Sequence, residues 1–152
     1  MQSTRIMGRS RPKAAEWLAG EHSRLDARLA GVLLQSVWGA PRELRRELTA
    51  YRSELRAHLR AVEQRFFSLL TALDARTRGA ARLEWQAQKD EVERVFADID
   101  RDLQGWDRSD FYGHFDHMRR VLRRYRRYEE SLLALIRLSA PSAAPEMAEV
   151  LL

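Results

Sequence analysis

Apolar residues recur every three or four positions in four separate stretches of this chain. The clearest is 51–70, YRSELRAHLRAVEQRFFSLL, where Tyr51, Leu55, Val62, Phe66 and Leu69 share one line. A period near 3.6 sustained over this length predicts an amphipathic helix with one buried face. His58 lies on the same line, so that helix carries an imidazole toward a core.

A first helix is expected from about Pro12 to Ser36, with Leu18, His22, Leu25, Leu29 and Val32 inward. Trp38-Gly39-Ala40-Pro41 ends it, and Pro41 suits the first turn of the second helix, which runs to about Leu73. Thr77-Arg78-Gly79 is the next expected break. The third helix covers roughly 81–104, with Trp85, Lys89, Val92, Phe96, Ile99 and Leu103 on one line. Gln104-Gly105-Trp106-Asp107 breaks it, and Ser109 is the expected N-cap of the fourth helix. That helix runs to about Ser139, with Met118, Val121, Leu122, Tyr125, Leu132 and Ile136 inward. No stretch alternates with period two. The pattern predicts an all-α, up-down-up-down four-helix bundle over 14–139. A basic, disordered arm (1–13) precedes it and a proline-containing tail (140–152) follows.

The halves of the bundle resemble each other. At an offset of 67 residues Leu18 falls on Trp85, Leu25 on Val92, Leu29 on Phe96 and Val32 on Ile99. Leu55 then falls on Leu122, Phe66 on Leu133 and Leu69 on Ile136. The same offset places His22 on Lys89, His58 on Tyr125 and Val62 on Glu129. Each helix thus puts one large polar group on its core line, and the fourth adds a carboxylate one turn on. An unpaired buried polar group costs about 1–3 kcal/mol, so these groups are expected to meet. Lys89 keeps the spacing to its apolar neighbours that His22 keeps to its own. The rival is that Lys89 snorkels outward and Gln88 faces the core.

Composition narrows the chemistry. There is no cysteine, hence no disulfide and no thiolate metal site. No apolar run is long enough to span a bilayer. MQSTRIMGRSRPK has no apolar signal core, so a soluble, cytoplasmic protein is expected. Formal net charge is +5, and all but Lys13 and Lys89 of the 27 cationic side chains are arginines. So uniform a bias reads as genome composition. The run MRRVLRRYRRYEE nevertheless offers Arg119, Arg120, Arg123, Arg124, Arg126 and Arg127 to a nucleic acid or acidic partner, and its plainer reading is a solvated face. His114 and His117 form an H-x-x-H that reads as two partly exposed histidines near a helix end. Trp38 and Trp106 are expected to cap the ends of the core. There is no Ser-His-Asp set, phosphate loop or HExxH, so an enzyme is not the expectation.

GEHSRLDARL, with a histidine followed three residues on by leucine, and HLRAVEQRFFSLL, with a histidine followed by an acidic residue and an aromatic-rich stretch, resemble the helix-1 and helix-2 motifs of the hemerythrin-like (HHE cation-binding) family. The resemblance covers about 14–137, and the 36-residue interval between His22 and His58 suits it. It implies a four-helix bundle holding two non-haem irons, used to bind or sense oxygen or iron, or to handle peroxide or nitric oxide. His22 and His58 match two of the family's iron ligands, and Glu129 or Glu130 matches the helix-4 carboxylate. Val62 stands at the bridging-carboxylate position, and Glu63 beside it is turned about 100° away. Trp85 and Lys89 stand at helix-3 histidine positions, and Tyr125 at the helix-4 histidine.

With those ligands replaced, the favoured expectation is a metal-free core. In it Lys89 pairs with Glu129, while His22, His58 and Tyr125 complete a hydrogen-bond network, and the protein acts as a binding or interaction module. The alternative is an iron-binding sensor or oxidase with an altered, mono- or dinuclear site on His22, His58, Glu129 or Glu130, and Tyr125.

Overall fold

The computed structural model describes residues 13–105 and 108–139. Four long helices account for nearly all of them: α1 (Ala14–Trp38), α2 (Pro41–Leu69), α3 (Ala75–Gly105) and α4 (Arg108–Ser139). A single 3-10 turn, Leu70–Ala72, follows α2. No strand occurs among the described residues.

The boundaries follow from local chemistry. At the end of α1 the Gly39 N–H donates to the Gln35 carbonyl at 2.9 Å. A Cβ on Gly39 would sit 2.7 Å from that carbonyl oxygen, so the close turn requires glycine. Pro41 then opens α2 at a position where its missing N–H is not needed. The second helix stops at Leu69 rather than Leu73, because the chain tightens into the 3-10 turn and Leu73 is extended.

The break expected at Thr77–Gly79 does not occur, and α3 begins at Ala75. Asp74 accounts for the difference. Its Oδ1 accepts the Thr77 N–H at 2.9 Å, and the Thr77 hydroxyl donates to its Oδ2 at 2.6 Å. These bonds hold the Asp74 carboxyl below its ordinary pKa. A capped first turn offsets the cost of Gly79 within a helix, about 1 kcal/mol relative to alanine. Ser109, the expected cap of the fourth helix, lies inside α4. Residues 1–12, Trp106 and the tail lie outside the described residues.

All four helices contribute to one apolar core, among them Leu25 and Val32, Tyr51 and Phe66, Trp85 and Phe96, and Met118 and Ile136. Burying such a side chain contributes roughly 1.5–3 kcal/mol. The most extensive neighbours are α1 with α2 and α3 with α4. Arginine–carboxylate pairs lace the seams: Arg28 with Glu47 and Glu54 between α1 and α2, Arg52 with Glu93 and Asp100 between α2 and α3. Trp38 caps nothing; it is 83% exposed at the tip of α1. No helix among the described residues is long and apolar enough to cross a membrane.

Candidate metal centre

His22 on α1, His58 on α2 and Glu129 on α4 meet inside the core. Each falls on the buried stripe of its helix, so the periodicity that builds the bundle also aims the three groups at one place. The Glu129 side chain is fully buried, and the His58 side chain is 1% exposed. His22 Nε2 lies 2.6 Å from Glu129 Oε2. His58 Nε2 lies 3.1 Å from Oε1 and 3.4 Å from Oε2 of the same carboxylate. With a proton on each Nε2, both rings donate to one acceptor group. One ligand atom from each residue lies within 4.8 Å of the others, and no second group of three such residues converges among the described residues.

A buried carboxylate is costly unless it is paired. Burial pushes the Glu129 carboxyl upward in pKa. The bonds from His22 and His58, the charge attraction of His58 and the nearby Tyr125 hydroxyl outweigh it, and the carboxyl sits below its ordinary value. Tyr125 moves the other way. Burial, followed by the negative charge of Glu129, drives its phenol well above its ordinary value. Its hydroxyl is close enough to Glu129 to feel that charge, yet it makes no hydrogen bond of good geometry. A small void of about 10 Å³ adjoins His22, His58, Tyr51, Tyr125 and Arg126. That is near the minimum for one water-sized occupant.

The other face of each imidazole meets a second carboxylate. His58 Nδ1, which has no hydrogen bond, is 3.4 Å from Glu21 Oε2. His22 Nδ1 is 3.8 Å from Glu130 Oε1. Trp17 stacks on His58 with ring centres 6.2 Å apart, which holds the ring plane. Arg126 ties α4 to α1 beside the cluster, bonding Asp26 at 2.7 Å and the His22 carbonyl at 3.4 Å. A cleft of about 220 Å³ between α1 and α4 reaches His22 from the surface past Ala15, Ala19, Glu130 and Ala134.

Four of the five expected core polar residues therefore come together: His22, His58, Tyr125 and Glu129. Lys89 does not. Its ammonium donates to Glu63 Oε2 at 2.9 Å near the surface, and the expected Lys89–Glu129 pair does not form. Gln88 takes the buried position and donates to Glu84 at 2.6 Å. The reason is desolvation. A four-carbon stem lets the ammonium leave the core at the price of one rotamer, whereas an imidazole has no such reach. Glu130, offered as an alternative ligand, is 63% exposed and reaches only the outer nitrogen of His22. His114 pairs with Asp102 and His117 is exposed, so H-x-x-H is not a joint site.

Glu21 was not among the expected site residues. It precedes His22 directly, a step of about 100° that turns it from the core toward α2 and His58. Its adjacency to a core histidine was the available signal.

Two metal ions do not fit this centre. Val62, Trp85 and Lys89 supply no donor to it, and three buried ligand atoms are too few for a dinuclear site. One ion fits the donor set of two imidazoles and a carboxylate, with the orphaned Tyr125 hydroxyl adjacent. Comparison of the chain with protein-family models, curated proteins and solved structures finds no match.

Proposed function

We propose that this chain is an up-down-up-down, hemerythrin-like bundle that binds one transition-metal ion at His22, His58 and Glu129. It serves as a metal-dependent binding or sensing module rather than a di-iron oxygen carrier. Antiparallel neighbours are supported by the contacts: Trp17 meets Arg65 and Arg28 meets Glu47; Asp26 meets Arg126 and Ser36 meets Tyr112.

One observation carries the metal reading. Both Nε2 atoms face the shared Glu129 carboxylate, and both Nδ1 atoms face a further carboxylate, Glu21 or Glu130. Outer carboxylates that accept the second ring N–H fix the tautomer and orientation of a ligating histidine, and Glu21 and Glu130 stand at 3.4 and 3.8 Å, within ion-pair reach of those nitrogens though not hydrogen-bonded to them. The metal-free expectation rested on the Lys89 ammonium as the internal cation. With Lys89 outside, no lysine ammonium pairs with the buried Glu129 charge, and Arg126, which feels that charge from beside the cluster, directs its hydrogen bonds to Asp26 and the His22 carbonyl. A bound first-row ion would supply Lewis acidity and, for iron, one-electron redox chemistry. The chain's own part is to hold the three donors, exclude bulk water with Leu25, Leu55 and Leu122, and keep the Tyr125 hydroxyl alongside.

A second reading has its own support. The 2.6 Å bond between His22 and Glu129 is complete without an ion. Elemental analysis of protein purified without chelator or affinity tag decides between them. Near-stoichiometric iron, manganese, cobalt or zinc, lost in His58→Ala, is expected. Absence of any such ion, together with unchanged thermal stability on adding each of them, would leave a hydrogen-bonded triad and overturn the metal reading.

A further inference from the structure

The outer face of α4 carries a feature independent of the centre. Arg119, Arg123 and Arg127 are spaced by four residues and all are exposed. At 1.5 Å rise per residue they form a row with steps of about 6 Å. Among the described residues none of the three makes an ion pair, unlike the arginines around them. Arg120 pairs with Asp116, Arg124 with Glu91 and Arg126 with Asp26. Arg24, Arg28, Arg52 and Arg56 on the other helices also reach carboxylates. Asp116 closes the row at one end and Glu130 at the other, which limits it to three free guanidinium groups.

We propose that this row binds the phosphate backbone of double-stranded nucleic acid, without reading sequence. Guanidinium forks match phosphate oxygens two at a time, which a lysine row would not do. An evenly spaced row, winding about 40° round the helix at each step, suits a regular helical polyanion. The apolar side chains of this stretch, Met118, Val121, Leu122, Tyr125 and Tyr128, are buried or half-buried, so nothing here is offered to a bilayer or to stack on bases.

The test is fluorescence anisotropy with the full chain and a mixed-sequence DNA duplex at several salt concentrations. Three phosphate contacts predict a slope of log affinity against log salt of about −2.7, a fall of about 40-fold between 50 and 200 mM. The triple variant Arg119→Gln, Arg123→Gln, Arg127→Gln should weaken binding at 50 mM at least about tenfold and flatten the slope. Arg42→Gln, Arg76→Gln, Arg94→Gln removes the same charge from exposed positions elsewhere and should cost less than about threefold. Equal losses in the two triples would reduce the effect to net charge and overturn the proposal. So would a wild-type chain that ignores the duplex at 50 mM, or one that binds a polyglutamate peptide but not DNA.

Discussion

The two halves of the bundle treat the same register differently. In the first, α1 and α2 place His22 and His58 inside, against Glu129. In the second, 67 residues on, α3 turns Lys89 out to Glu63 while α4 keeps Tyr125 in. A ring that can share a proton with a buried carboxylate stays. An ammonium on a flexible stem leaves, and Trp85 fills the wall with apolar bulk instead. The centre is therefore three-sided. Its donors come from α1, α2 and α4, and α3 closes it without coordinating anything.

The difference is broken most directly at Glu129. Glu129→Leu keeps the volume and leaves two imidazoles facing an apolar side chain. Leaving the two buried ring donors unsatisfied costs about 1–3 kcal/mol each, and the urea midpoint should fall accordingly. Metal added at a hundred times its Kd should stabilise the wild type by about 2.7 kcal/mol and the variant not at all. A loss below about 1 kcal/mol would mean the histidines have other partners.

Acid should dissolve the same cluster gradually. The folded Glu129 pKa lies below its unfolded value, so its contribution is fully present above about pH 4.3. It is lost as pH falls through the lower, folded value. The stability gap between wild type and Glu129→Gln should thus narrow on acidification below pH 4.3. Glu93 gives an external comparison. Hydrogen bonding from Arg56, with help from Arg52, holds it at about 2. Its contribution fades between about pH 4.3 and that value, and solvent screening keeps it small. If the Glu129 gap instead widens toward acid, the carboxyl is held protonated in the fold.

Much of this was legible in the sequence, and what was not has a physical cause. Four helices follow from the 3.6 period and the Gly39–Pro41 break, and His22, His58, Tyr125 and Glu129 sit where that period puts them. The start of α3 was hidden, because Gly79 looks like a stop until Asp74 is seen capping Thr77. Lys89 was hidden differently. Residues 88 and 89 straddle the edge of the buried face, and periodicity alone cannot say which of two neighbours turns in. Glu21 lay just off the core line and drew no notice until His58 was found beside it.

A finer contrast comes from Tyr125. Tyr125→Phe removes a buried hydroxyl that already lacks a hydrogen bond, so stability should change by less than about 1 kcal/mol. The informative readout is spectroscopic. If the phenol joins the donor set, the iron-loaded wild type should show a visible charge-transfer band that the variant lacks. An identical spectrum in both would confine the set to His22, His58 and Glu129.

The smallest effect belongs to the residue that marks the asymmetry. Lys89→Met removes a half-exposed ion pair with Glu63, and such pairs contribute about 0–1 kcal/mol. Methionine keeps the stem's apolar cover, so thermal denaturation should move little, and metal content should stay as in wild type. A core lysine would behave in the opposite way. Its loss would strand Glu129 without a partner, cost several kcal/mol and alter any ion occupancy. Lys89→Met therefore separates the two arrangements by the size of a single melting shift. A large shift would return the lysine to the interior and make the halves alike after all.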